Sequence, residues 1–227
     1  GINKKTINIY KFLGYTTGRM NHFFILNPNL LKFNIAKTDN SSPPTLSPGV
    51  YSVESVSCSD MLTIQNIDEL CASSLPSKST QFIYHRYKNH PYFKYQFYSI
   101  NNDNQVHGIF VTREIKVKNH RCLRVVDFIG ESKSIKDCLK SLSFKLLSEK
   151  KYEFIDMLSA GLSSNDISFK GLQEVPENTN HTIIPSYFEP FEQKNIDIFY
   201  FTSIKSNYRI MRGDGDQDRP NLLKENK

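Results

Sequence analysis

The densest group of chemically capable side chains lies around Pro91. It contains His85, Arg86, Tyr87, His90 and Tyr92. A histidine whose pKa is near neutrality can take a proton from an ammonium nucleophile, and aromatic rings can stack on a sugar or a base. We therefore predict His90 as a catalytic base and the other four residues as substrate contacts. The same pattern also fits a histidine that caps a turn beside aromatic residues of the core.

Asp127 is a carboxylate inside an apolar run that spans residues 123–129. Strand alternation would place it on one face with Val125 and Ile129. A buried carboxylate needs a partner or a raised pKa, and a short turn brings Arg113 of the preceding strand near it. Asp127 could act as a general base or hold an amine, with Arg113 orienting it. A structural ion pair across two strands explains the same two residues.

The apolar run leads through Gly130 into a polar turn and then into an amphipathic helix. Free backbone N–H groups and the positive end of a helix favour anions, and glycine lets backbone approach a ligand closely. Ser132 and Ser134 can donate hydrogen bonds, and Lys133 adds positive charge. The turn is thus a candidate pyrophosphate site. The alternative is an ordinary strand-to-helix turn capped by serine. The negative charge of Glu131 opposes a bound phosphate but is compatible with such a turn.

Apolar periodicity predicts an α/β chain with a mixed sheet. Strands are predicted at residues 6–12, 20–26, 31–36, 51–56, 93–100, 106–117, 122–129, 154–158, 182–188 and 196–203. Helices are predicted at residues 59–72, 77–87, 132–150 and 164–172. The first three strands would form an N-terminal β-hairpin extension. The later ones would form a three-strand antiparallel meander whose last strand is joined by a helix to a parallel neighbour.

Composition narrows the class of protein. The chain has 227 residues and a formal net charge of +6, which favours an anionic partner. No run of Lys and Arg is dense enough to indicate nucleic acid, and no apolar run reaches the roughly 18–20 residues that a membrane span needs. The four cysteines lack CxxC spacing, which favours free thiols in a reducing compartment. We predict a cytoplasmic protein without nucleic-acid or integral membrane contact, and we expect that a homodimer can form.

Several stretches, taken in order, resemble the GNAT-like acyltransferases of bacterial lipopolysaccharide and capsule gene clusters. They are YKFLGY at residues 10–15, GRMNHFFILN at 18–27, RY at 86–87, HPY at 90–92, VVDFIG at 125–130 and GDGDQDRPN at 213–221. The resemblance implies a GNAT-like acyl-CoA N-acyltransferase fold. It also implies that residues 1–38 are the remnant of a preceding GNAT-like half. A linker at 39–49 would then lead to a GNAT-like domain at 50–205 and a polar tail at 206–227.

The resemblance also implies where a co-substrate lies. In such enzymes the strand before the crossover helix splays from its neighbour, the pantetheine arm pairs with it, and the pyrophosphate lies at the helix N-terminus. Acyl-CoA, such as acetyl-CoA, would be held here by Val125, Phe128, Ile129, Gly130, Ser132, Lys133 and Ser134.

The stretch at residues 213–221 would close over the substrate. Its contacts would be Asp214, Asp216, Asp218 and Arg219. The alternating aspartates also resemble a calcium loop, but Arg219 stands where that loop has Gly, so we predict no metal site. A solvated tail is the remaining alternative.

The resemblance implies transfer of an acyl group from a thioester to the amine of a nucleotide-linked amino sugar or glycan, in surface polysaccharide synthesis. His90 or Asp127 would remove the proton of the amine. A non-catalytic GNAT-like module that binds sugar or organises a pathway complex is the first alternative. A transferase that uses aminoacyl-tRNA is the second, which the net charge permits but no motif supports.

Overall fold

The computed structural model describes residues 2–38, 45–73, 76–102, 105–149, 151–177, 181–188 and 190–215. The α-helices in these ranges are α1 (Ile7–Phe12), α2 (Cys58–Met61), α3 (Ile67–Ala72), α4 (Thr80–Ile83), α5 (Ile135–Ser148) and α6 (Ser164–Ile167). The strands are β1 (Thr16–Arg19), β2 (Asn21–Leu26), β3 (Lys37–Thr38), β4 (Ser52–Val56), β5 (Gln96–Asn102), β6 (Gln105–Val117), β7 (His120–Ile129), β8 (Phe154–Ala160), β9 (Leu172–Glu174), β10 (Thr182–Ile183), β11 (Tyr187–Phe188), β12 (Phe191–Glu192), β13 (Phe199–Thr202) and β14 (Ile210–Met211). None of the helices in the described ranges is long and apolar enough to cross a membrane.

The main sheet is mixed. Seven of its strands lie in the order β4-β5-β6-β7-β8-β2-β9, and β14 pairs with β8 off this path. Neighbours from β4 to β7 are antiparallel, and β7 and β8 are parallel because α5 carries the chain from one to the other. The predicted mixed α/β fold, with its meander, crossover helix and parallel strand, is confirmed.

Helices cover both faces of the central strands. The apolar residues of α5 recur at helical spacing, and they bury one face together with Val125 and Phe128 of β7. Helices α2, α3 and α4 cover the other face, where they pack with Val126 and Ile129. These two layers bury both faces of β7, up to Phe128 on one side and Ile129 on the other.

The N-terminal region differs from the prediction. Residues 6–12 are not a strand, because the side chain of Asn3 accepts a hydrogen bond from the Thr6 N–H and starts a helical turn that continues into α1. Residues 31–36 are not a strand either, because the N–H groups of Asn34 and Ile35 donate to the Glu153 carboxylate instead of a neighbouring strand.

The predicted N-terminal β-hairpin is also wrong in its pairing. Strand β1 pairs with β13, and β2 lies between β8 and β9 inside the main sheet. Alternation in a sequence identifies a strand but not its partner, and both partners of β2 lie more than 120 residues further along the chain.

Candidate functional site

Strands β7 and β8 diverge towards their C-terminal ends. They pair only where Leu123–Val125 faces Ile155–Met157, whereas β7 continues to Ile129 and β8 to Ala160. Such a gap leaves backbone N–H and C=O groups available for another chain or a ligand. It lies where the resemblance places the pantetheine arm of acyl-CoA.

The chain's own C-terminal segment fills this gap. We call residues 208–215 the strap. Within it, β14 pairs antiparallel with Ser159 and Ala160 of β8. Met211 is fully buried in the main core. The expectation of a solvated tail is therefore wrong for the strap, because its apolar and polar groups both have partners inside the fold.

Arg209 of the strap binds the backbone carbonyl groups at the end of β7. Its side chain is 1% exposed, and its guanidinium donates to the carbonyl oxygens of Phe128 (2.9 Å) and Gly130 (2.8 Å). It also donates to the Ser132 hydroxyl at 3.0 Å. These are the groups that the resemblance assigned to a co-substrate, so the strap occupies that place.

The rest of the predicted pyrophosphate turn is also engaged. The Ser134 hydroxyl donates to the carbonyl oxygens of His107 and Glu131, and Lys133 pairs with Glu131 on the surface. Gly130 has φ of +147° and lies so close to the His107 carbonyl oxygen that a Cβ would stand 3.0 Å from it. With the strap in place, the residues of this turn do not fit an acyl-CoA.

Asp127 lies in a buried cluster of charges under the strap. The Tyr87 hydroxyl donates to Asp127 Oδ2 at 2.6 Å, and Lys78 Nζ lies 3.1 Å from Asp127 Oδ1. The same Nζ lies 2.9 Å from Oδ1 of Asp214, which belongs to the strap. Lys78 therefore joins the strap to β7 through two carboxylates.

The titration of this cluster follows from burial and charge. Burial, and then the charge of Asp127, raises the pKa of Asp214 to about 6, while Lys78 opposes the shift. Burial alone would lower the pKa of Lys78, but Asp127 and Asp214 together raise it. Burial and Asp127 raise the pKa of Tyr87 well above its usual range. Lys78 thus stays charged, as an anchor for both carboxylates.

The partner predicted for Asp127 is corrected by the register of β6 and β7. Val111 faces Asp127 but Thr112 faces Val125, so the chain bulges at Val126. The bulge places Asp127 against Tyr87, on the face opposite to Val125, which packs with α5. Arg113 instead faces Arg124, and its guanidinium lies 3.8 Å from the centre of the Phe93 ring.

His90 is placed as a turn cap. Its Nδ1 accepts hydrogen bonds from the backbone N–H groups of Tyr92 (3.2 Å) and Phe93 (3.0 Å), and its ring stacks on that of Phe93. Because Nδ1 is an acceptor, the neutral ring carries its proton on Nε2. This geometry favours the capping role over the predicted base.

The other predicted substrate contacts fall into three groups. Arg86 donates to the carbonyl oxygens of Gly213 (3.1 Å) and Gly215 (2.7 Å) and so holds the strap. Tyr87 instead holds Asp127, the carboxylate beneath the strap. His85 and Tyr92 lie on the surface. Asp216, Asp218 and Arg219 lie outside the described residues.

A second buried polar cluster, which the sequence analysis missed, crosses β2, β8 and β7. His22 Nε2 lies 2.9 Å from Asp156 Oδ2, and Arg124 donates to both oxygens of the same carboxylate. Arg124 also donates to the carbonyl oxygens of Pro185 and Ser186. Each of the three is a charged or titratable residue within an otherwise largely apolar strand, which is the signal that could have identified the cluster.

Burial and charge set the protonation of this cluster. Burial alone would raise the pKa of Asp156, but Arg124 and His22 hold it well below its usual range. Burial lowers the pKa of His22, although Asp156 opposes the shift. A neutral imidazole therefore faces an ionised carboxylate.

His22 borders an open cleft. The cleft has a volume of about 400 Å³ and contains both polar and apolar groups. Its lining includes Arg19, His22, Leu158, Val175, Lys194 and Asp197. Among the residues that the structure describes, no group of three or more His, Cys, Asp or Glu is arranged to hold a metal ion.

Comparisons with known proteins found neither a matching family model nor a matching curated protein. Among solved structures, the chain is similar to a GCN5-related N-acetyltransferase from Anabaena variabilis, with 10% identity and a TM-score of 0.48 over 74% of this chain and 41% of that one. It is also similar to a probable N-acyltransferase from Enterococcus faecalis, with 12% identity and a TM-score of 0.48 over 74% and 40% of the two chains. The chain thus spans about two fifths of the length of these two structures.

Proposed function

We propose that the protein is an acyltransferase that moves an acyl group from a thioester to a primary amine. The observation that carries the proposal is the parallel pair β7–β8, whose strands separate after three paired residues. Helix α5 begins at Ile135, a few residues after the end of β7. The resemblance of residues 125–130 to GNAT-like enzymes supports acyl-CoA, such as acetyl-CoA, as the donor.

The acceptor that we propose is a nucleotide-linked amino sugar used in surface polysaccharide assembly. The ordered resemblance of several stretches to the polysaccharide-cluster family supports this substrate class. The net charge of +6 is compatible with it, because a nucleotide diphosphate is an anion.

Donor binding in this gap requires that the strap withdraw. The carbonyl oxygens at the end of β7 accept hydrogen bonds from Arg209, and β14 occupies the free edge of β8. A thioester arm would need the same space. In the proposed enzyme, the donor therefore replaces the strap in the gap between β7 and β8.

The filled gap also favours a second candidate, a non-catalytic module that binds sugar or serves as a scaffold. If the strap never leaves, this domain has no room for a donor between β7 and β8. Such a module would bind an amino sugar without consuming acyl-CoA.

The test is a mass-spectrometric screen of the full chain with a panel of acyl-CoAs and nucleotide-linked amino sugars. We expect a product whose mass exceeds that of the acceptor by one acyl group less one hydrogen, together with free CoA thiol. Reactions without the sugar measure background hydrolysis. Sugar binding without CoA release would support the second candidate, and binding of neither substrate would overturn both.

A further inference from the structure

We propose that the cleft beside β2 and β8 binds the amine acceptor, and that His22 takes the proton from its ammonium group. This inference rests on the proposed acyltransferase function, which it deepens by naming the acceptor site and the base. Neither His22 nor the cleft was among the sites predicted from the sequence.

The first argument is position. Leu158 lines the cleft and directly follows Met157, the last residue of β8 that pairs with β7. On the neighbouring strand β2, the residue that pairs with Leu158 is His22. The cleft therefore borders the point at which β7 and β8 separate, so an amine in the cleft would lie beside a donor in the gap.

The second argument is the environment of the imidazole. His22 is 8% exposed, and it is the member of the buried cluster that borders the cleft. Asp156 binds Nε2 and thereby holds the proton of the neutral ring on that nitrogen, which leaves the lone pair of Nδ1 to accept another. Arg124 holds the carboxylate in place with two donor groups. A histidine oriented by a carboxylate is the usual arrangement of a general base.

The charges around His22 come from several elements. Asp156 favours protonation of the ring, whereas Arg124 of β7 and Arg212 of the strap oppose it. Arg19, Lys194 and Asp197 border the cleft itself. Arg19 is paired with Asp197 and Glu177, and Lys194 with Glu192. Burial of the ring lowers the pKa of His22 more than Asp156 raises it, so the ring starts neutral, as a base must.

The proton balance is complete without another reactant. The ammonium gives one proton to His22, the nitrogen lone pair forms the C–N bond, and the C–S bond of the thioester breaks. The second nitrogen proton ends on the leaving thiol, and His22 releases its proton to water. One proton is thus released for each amide formed.

The binding half of the inference is tested with UDP-glucosamine, and UDP-N-acetylglucosamine serves as the probe without an amine. We expect the side-chain NMR signals of His22, assigned with His22→Gln, to shift with the amine and less with the amide. Lys194→Met should weaken UDP-glucosamine binding several-fold, because it removes from the cleft a cation that attracts the anionic diphosphate. Lys170→Met, on the surface away from the cleft lining, is the control. Unchanged His22 signals at saturating UDP-glucosamine would overturn the assignment of the cleft.

The catalytic half is tested by the dependence of acylation on pH. His22→Gln should lower kcat/KM about 100-fold at pH 7, and its rate should recover as rising pH deprotonates the amine in solution. A purely structural role would lower the rate equally at every pH, and that result would overturn the base role while leaving the proposed function intact. His22 signals that respond to the amine, without acylation from any donor, would overturn the base role together with the proposed function.

Discussion

Lys78 is the residue on which the charges beneath the strap depend. It is the cation that contacts both Asp127 and Asp214, and its side chain is 2% exposed. Removing one partner of a buried ion pair leaves a charge that neither water nor protein stabilises. The fold should therefore be more sensitive to this lysine than to one on the surface.

We predict that Lys78→Met lowers the free energy of unfolding by roughly 3–5 kcal/mol. Urea denaturation followed by circular dichroism measures the change. Lys133→Met is the matched control, because Lys133 pairs with Glu131 on the surface and its loss should leave the midpoint unchanged. Equal midpoints for both variants would refute the anchoring role of Lys78.

The second prediction concerns Asp214 and the dependence of the free energy of unfolding on pH. Because its pKa is raised to about 6 in the fold, the folded state keeps its proton where the unfolded chain has lost it. The stability that this group contributes is present below about pH 4 and is lost as pH rises through about 6. Between pH 4 and pH 7 the loss should be on the order of 2 kcal/mol.

The measurement is the free energy of unfolding at several pH values for the wild type and for Asp214→Asn. The variant should lack this component of the pH dependence. Parallel curves for the two proteins would show that Asp214 does not titrate in this window.

Sequence reasoning at the residue scale identified the right kind of feature but not its partners. A carboxylate in an apolar strand predicted that Asp127 has a partner, and the structure provides Lys78 and Tyr87. Lys78 stands in a Ser-rich stretch with no pattern of its own. The short turn placed Arg113 on the neighbouring strand, but the register puts it opposite Arg124, three residues before Asp127.

At the scale of elements, the strap was the feature that the sequence concealed. Its strand has only two residues, too few to show alternation, and the glycines and aspartates around it are typical of a tail. Polar side chains elsewhere make its burial favourable, because Arg86 donates to two of its carbonyl groups. In contrast, α5 and the meander were predictable because their apolar periodicity extends over many residues.

We predict that Gly213→Ala loosens the strap. A Cβ at Gly213 would stand 2.0 Å from the Tyr87 hydroxyl oxygen, which is held by Asp127. Relieving this overlap should cost about 1–3 kcal/mol and speed amide hydrogen exchange in the strap. Acetyl-CoA should then bind more tightly, because the gap opens at lower cost.

Hydrogen exchange and calorimetric titration with acetyl-CoA measure both effects. Ser206→Ala is the control, because Ser206 is exposed just before the strap. Exchange rates in the strap that match those of this control would contradict the packing account.

At the scale of the whole molecule, the first strands cannot be separated from the domain that follows. Strand β2 lies between β8 and β9, and Phe23, Phe24, Ile25 and Leu26 are each 1% exposed. Burying each such side chain contributes roughly 1.5–3 kcal/mol, and a typical domain is stable by only about 5–15 kcal/mol. The predicted boundary at residue 50 was drawn from a linker composition, which carries no information on long-range strand pairing.

We therefore predict that residues 50–205 alone do not fold cooperatively. Losing β2 would expose the edges of β8 and β9, and losing the strap would open the gap beside β7. Thermal unfolding by circular dichroism compares this fragment with residues 1–215. A sharp transition of the fragment alone would mean that it is an independent domain.

The most direct test of the proposed acyltransferase is hydrogen exchange of the full chain with and without acetyl-CoA. If the donor takes the place of the strap, amides of residues 209–213 should exchange faster when it binds. Amides of residues 130–134, in the turn just before α5, should exchange more slowly in the same sample. No change in either segment at saturating acetyl-CoA would contradict the account, because the gap between β7 and β8 would then belong to the strap alone.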